Sequence, residues 1–194
     1  MFKWSILKKE EVIDSWSVLI ENGQGKAEEI FNNTSAFLAK SKAPNVKVER
    51  KKVAPGFFRG LLGGAKRDFL VIRETGNPNL SPYEMFIGVR DYGNNLDVSW
   101  YLTYRLGFFR LLLTLLLLLP GIGIIFLPYL YLFKTAPTTK ERGLDLDLFD
   151  EQDLIAYVTN AHHCLLEAVQ KLIIDLGQDP SKMERKSRGF LGIT

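Results

Sequence analysis

The stretch from Gly107 to Phe133, GFFRLLLTLLLLLPGIGIIFLPYLYLF, constrains this chain more than any other, because the 23 residues between Arg110 and Lys134 carry no charge. At a helical rise of ~1.5 Å per residue such a run reaches ~34 Å, enough to cross a hydrocarbon layer about 30 Å thick. The expectation is a membrane-inserted segment that places Leu111, Leu115, Leu119, Pro120, Gly121, Gly123, Phe126, Pro128, Tyr131 and Phe133 in lipid. Pro120, Gly121 and Gly123 interrupt the run near its middle, and Pro128 interrupts it again. Proline removes a helical hydrogen bond and clashes with the preceding turn, whereas glycine admits the backbone angles of a reversal. Two forms stay open: one kinked transmembrane span, or a re-entrant, monotopic hairpin whose arms of about ten residues are each too short to cross alone. Leucine at this density is unusual for a helix buried in a water-soluble core. Trp100 and Tyr104 before the run, with Tyr129 and Tyr131 near its end, read as interfacial aromatics.

A chain of 194 residues has room for one ordinary domain plus a membrane element, or for two small domains divided by a span. The boundaries expected are an α+β region at 1–106, the membrane-inserted segment at 107–133, and a long helix with a basic tail at 134–194. That last part either packs on the first region's sheet as one domain or stands apart. Residues 1–105 carry 16 Lys and Arg against 12 Asp and Glu, and 134–194 carry 8 against 10. The positive-inside rule then favours a membrane protein whose N-terminal domain is cytoplasmic. Lys8, Lys9, Glu10 and Glu11 occupy the place where a signal peptide needs apolar residues, so no export signal is expected. With Cys164 as the single cysteine, an internal disulfide is excluded, which agrees with a reducing compartment.

Periodicity supplies the elements. Residues 1–23 give a weak pattern, in which SWSVLIENG reads at most as a short strand. From Lys26 to Lys40 the residues Ala27, Ile30, Phe31, Phe37 and Leu38 fall at helical spacing, with Thr34 completing that face, so an amphipathic helix is predicted ahead of Pro44. Four strands follow, Val46 to Val53, Asp68 to Thr75, Glu84 to Asp91 and Leu96 to Arg105. In the last, Leu96, Val98, Trp100, Leu102 and Tyr104 alternate with more polar residues, as in a half-buried antiparallel strand. DYGNNL reads as a hairpin turn and GNPNLSPY as a longer loop. Beyond the apolar run, Asp150 is a plausible N-cap for a helix from Glu151 to Leu176, which aligns Leu154, Val158, Ala161, Leu165, Leu172 and Leu176 and stops at Gly177. The predicted fold is α+β: an N-terminal helix, a four-stranded antiparallel meander, the membrane segment and a long C-terminal amphipathic helix.

Chemistry-bearing residues are few. His162, His163 and Cys164 are consecutive, yet adjacent helical residues point about 100° apart, while one metal needs ligands three or four apart. The same geometry argues against a Cys–His nucleophile. APGFFRGLLGGAKR departs from the Walker pattern, with Ala65 before Lys66 and Arg67 in the Ser/Thr place. Asp145, Asp147, Asp150, Glu151 and Asp153 suit a helix start. No catalytic residue, metal ligand or cofactor is expected.

The better use of that glycine-rich segment is a membrane surface. Phe57, Phe58, Leu61 and Leu62 stand among Arg59, Lys66 and Arg67, and apolar wedges ringed by cations suit anionic lipid. GFFRGLL at Gly56 and GFFRLLL at Gly107 differ at one position in seven, and RGFLG adds Arg188 and Phe190 to the same composition. Arginine between phenylalanine and leucine can snorkel to head groups while its neighbours insert. The surplus of positive charge is too small, and lacks any reading motif, for a nucleic-acid partner. The sequence thus reads as a membrane-associated, non-enzymatic binding or assembly protein. Its expected partners are membrane lipids, anionic by charge, and a protein partner or a second copy. The alternative is a protein that handles lipid or a small apolar ligand at the membrane surface, and an enzyme comes third.

Overall fold

The computed structural model describes residues 5–6, 12–54, 67–104 and 146–188. Its sheet has the order β1-β3-β4-β5-β6-β2, built from Ser5–Ile6, Val46–Ala54, Arg67–Glu74, Tyr83–Tyr92, Asn95–Tyr104 and Val12–Ile20 respectively. The five longer strands are antiparallel to their neighbours, and the two-residue β1 joins parallel to β3. Helix α1 (Ala27–Ser41) connects β2 at one edge of the sheet to β3 near the other, and α2 (Leu148–Asp175) follows β6 in the described order. The two helices pack against each other on the same face of the sheet.

The expected architecture needs three corrections. The sheet has five antiparallel strands rather than four, because β2, read at most as a short strand, runs for nine residues and pairs with β6 from Val12↔Thr103 to Ile20↔Leu96. The helix near the N-terminus does not open the fold, since β2 precedes it and supplies an edge strand. The membrane segment is the third correction: among the described residues no helix is long and apolar enough to cross a membrane. Neither a transmembrane helix nor a hairpin is an element of the described architecture, and 107–133 lies outside the described residues. A single crossing there would also have separated β6 from α2, whereas Trp100 of β6 and His162 of α2 share one core.

That core forms because each element turns one apolar face inward. Leu96, Val98, Trp100 and Leu102 of β6, Met85 and Ile87 of β5, and Leu70 and Ile72 of β4 lie at period two and meet the helices. From α2 come Leu154, Val158, Ala161, Leu165 and Leu172, and from α1 Ile30, Phe31 and Leu38, with Thr34 buried on the same stripe. Trp100 is 0% exposed, so it is a core side chain and not an interfacial aromatic. Tyr104 is half-buried, with its ring 5.1 Å from that of Tyr83. On the sheet's other face Val53, Phe69, Val71 and Phe86 form a smaller buried cluster. Gly88 makes room there: a Cβ at this position would lie 2.6 Å from the Phe69 ring. Gly93, at φ 61, turns the β5–β6 hairpin.

The strand registers define two ends. Val46↔Glu74, Tyr83↔Tyr104 and Val12↔Thr103 lie toward one end, and Val53↔Arg67, Tyr92↔Asn95 and Ile20↔Leu96 lie toward the other. We call the first the exit end, because β6 finishes there.

Candidate functional site

Three groups of polar side chains stand out, and the first ties the start of α2 to the exit end. Asp147 caps α2, its Oδ1 accepting from the Asp150 backbone N–H at 2.8 Å. The cap is therefore Asp147 and not Asp150. Asp150 points inward, 8% exposed, and its two carboxylate oxygens accept from Asn77 Nδ2 at 2.6 Å and Asn79 Nδ2 at 2.8 Å. Those asparagines precede β5, and Asn77 also receives the Asn79 backbone N–H, closing a short turn around Pro78. Glu74, the last residue of β4, accepts the backbone N–H groups of Gly76 and Asn77, both at 2.7 Å. A continuous chain of bonds thus runs from β4 through the loop to α2. Its consequence is positional: β6 leaves the described body at Tyr104, and the chain re-enters at Leu146, both at the exit end.

The second group lies in the middle of the core. The Trp100 indole, which can only donate, gives its N–H to His162 Nδ1 at 2.8 Å. His162 Nε2 must then carry the proton, and it donates to the Arg185 carbonyl at 2.7 Å. Trp16 Nε1 donates to the Glu184 carbonyl at 2.7 Å, Ser187 Oγ to Asp14 Oδ2 at 3.0 Å, and the Arg188 backbone N–H to the Ser15 carbonyl at 2.8 Å. Residues 184–188 are thereby strapped along β2. Burial holds the His162 imidazole below its ordinary range, with the His163 charge acting the same way and the Arg185 carbonyl and Asp14 acting against it. Both ring nitrogens are engaged, so this arrangement leaves His162 no lone pair for proton transfer. Burial also pushes the Cys164 thiol up, away from the thiolate that a nucleophile needs. Trp16, Trp100, Leu102, His162 and Leu165 fill the space between the sheet and α2.

The third group lies at the opposite end. Arg50 of β3 binds Glu28 of α1 through both terminal nitrogens at 2.6 Å, and its guanidinium lies 4.6 Å over the Phe31 ring. The Arg50 bonds hold the Glu28 carboxyl below the usual range. Outside this group, on the other face of β3 and nearer the exit end, Glu49 lies between Lys47 and Lys51 at 2.8 and 2.6 Å and is lowered to about 2, chiefly by the Lys47 hydrogen bond. Glu28, Phe31, Arg50, Arg67, Asp68 and Tyr92 line an open groove of about 540 Å³. Its charges are of both signs, so it has no clear preference for an anion or a cation.

Among the site residues predicted from sequence, Arg67 and Arg188 are described. Arg67 opens β4 at the groove, and Arg188 ends the strap beside Ser15; both are exposed. They are not brought together, because Val53↔Arg67 lies at the opposite end, whereas the strap runs past Trp16 toward Asp14 and Ser15. Phe57, Phe58, Arg59, Leu61, Leu62, Lys66 and Phe190 lie outside the described residues, as do all ten positions expected in lipid. Sequence reasoning missed the Asn77–Asp150–Asn79 bonds, although NPN carried a local cue as a turn that caps itself. It also missed Leu148 and Phe149, which the structure leaves 65% and 74% exposed. Among the described residues no group of His, Cys, Asp or Glu could hold a metal ion. No protein-family model, curated protein or solved structure matches the chain.

Proposed function

We propose that the protein is a non-enzymatic binding or assembly module that works against a lipid surface. The observation that carries this reading is the common departure point of the chain: residues 105–145, which include the unbroken run of 23 uncharged positions at 111–133, connect to the folded body twice at the exit end. A compact α+β body is thus attached at one end to the most apolar part of its own sequence. The polar groups support a positional role rather than a chemical one, since His162 and Asp150 spend their bonding capacity on tying elements together.

The test is flotation of the full chain and of a variant lacking Leu111 to Phe133, with phosphatidylcholine vesicles containing phosphatidylglycerol. The full chain is expected to float with the vesicles and the deletion variant to stay below. Circular dichroism of the deletion variant establishes that the α+β body still folds. Equal flotation of both chains, or of neither, contradicts the proposal.

A further inference from the structure

We propose that the exit end is the face the domain turns toward the bilayer, with Leu148 and Phe149 as the side chains that enter it. This rests on the lipid-surface reading above and adds an orientation to it. Leu148 and Phe149 form the first turn of α2, are 65% and 74% exposed, and contribute nothing to the core. Ile155, 37% exposed, lies seven residues beyond Leu148 and so on nearly the same side of the helix. A single exposed leucine is ordinary on a protein surface. Two adjacent large apolar side chains are less so, and these two stand where the chain re-enters the body, separated from its apolar run by the polar connection 134–145.

The first turn is also held rigidly enough to present them. Asp147 caps it, and Asp150 fastens it to Asn77 and Asn79, so Leu148 and Phe149 cannot turn inward without breaking bonds to a buried carboxylate. Beside them on the same turns of α2 stand exposed Asp147 and Asp153 and half-buried Glu151. Apolar side chains rimmed by charge are the arrangement of an interfacial contact, in which the charges remain with head groups and water. The opposite end carries exposed apolar residues too, Leu19 at 52%, Tyr92 at 67% and Ile174 at 60%, on three different elements. These provide the internal control.

An environment-sensitive nitrobenzoxadiazole probe attached to Phe149→Cys, and separately to Ile174→Cys, in a full-length Cys164→Ala background tests the orientation. The vesicles are phosphatidylcholine–phosphatidylglycerol carrying doxyl-labelled acyl chains. The result expected is a blue shift and quenching at 149, with neither at 174. Leu148→Glu with Phe149→Glu should weaken vesicle binding about tenfold or more while leaving the melting curve unchanged, and Ile174→Glu should leave binding intact. If the protein floats with vesicles but 174 is quenched and 149 is not, or neither is, the orientation is overturned and the lipid-surface reading stands. If the protein does not float at all, the lipid-surface reading falls and the orientation with it.

Discussion

The two ends of the sheet are built on different principles. At the exit end a buried carboxylate, two asparagine amides and a helix cap lock a loop to a helix, an ion pair joins Arg73 to Glu84 at 2.6 Å, and the large apolar side chains left outside are Leu148 and Phe149. At the opposite end the fixed contacts are between charges, Arg50 with Glu28 and, on the other face, Arg90 with Asp97 at 2.7 Å, around a groove open to water. Buried polar bonds resist loosening because each broken one strands a desolvated group, whereas exposed ion pairs are easily exchanged for water. One end is thus set in position by buried bonds, and the other is held by solvated contacts.

The largest effect should come from the core that joins the ends. Trp100→Ala removes a fully buried indole and the donor to His162, and should cost about 3–5 kcal/mol in urea unfolding. It should lower hydrogen-exchange protection at both ends together; a loss confined to one would mean that the ends do not share a core. Asp150→Ala should cost about 1–3 kcal/mol, since it leaves the Asn77 and Asn79 amides without their acceptor. Its loss of protection should be confined to residues around 75–83 and 147–151, and a uniform loss would dissolve the distinction between the ends.

A pH titration of stability probes the strap between them. The folded pKa of His162 lies below its ordinary value of 6.5, so the unfolded chain binds the extra proton first. Stability is therefore fully present above pH ~6.5 and falls as the pH drops below it. Glu49 and Glu28, whose pKa values are lowered, add their own loss only below the ordinary carboxylate range near 4.5. His162→Gln, which can accept from Trp100 and donate to Arg185, should abolish the limb that begins below pH ~6.5 and keep the more acidic carboxylate one. Persistence of the first limb in that variant would assign it elsewhere. Arg50→Ala should have the smallest effect, a change of the unfolding midpoint within about 2 °C, because its partners are solvated. A larger drop would show that the opposite end is also fixed by its contacts.

Much of this was legible in the residues. Strands β3 to β6 and both helices follow from period-two and helical spacing, and their bounds lie within three residues of those expected. β2 was obscured because Trp16, Val18 and Ile20 alternate with Ser15, Ser17 and Leu19, and Leu19, 52% exposed, blurs the pattern. Trp100 invited two readings, one from its alternation with Leu96 and Leu102 and one from its closeness to the apolar run. Burial decides for the first. The Asp150 bonds join residues 73 and 71 positions apart, so local spacing cannot show them. Leu148 and Phe149 fall before Glu151, where spacing starts the helix, so periodicity assigns them no face, whereas the structure includes them in the first turn and leaves them outside.

The most direct measurement is hydrogen–deuterium exchange of the full chain with and without phosphatidylcholine–phosphatidylglycerol vesicles. Protection gained at 75–83 and 146–152, with 21–26 and 92–95 unchanged, is the result predicted. Protection gained at 21–26 and 92–95 instead, or no change at either end despite co-flotation, would contradict the assignment of the exit end to lipid.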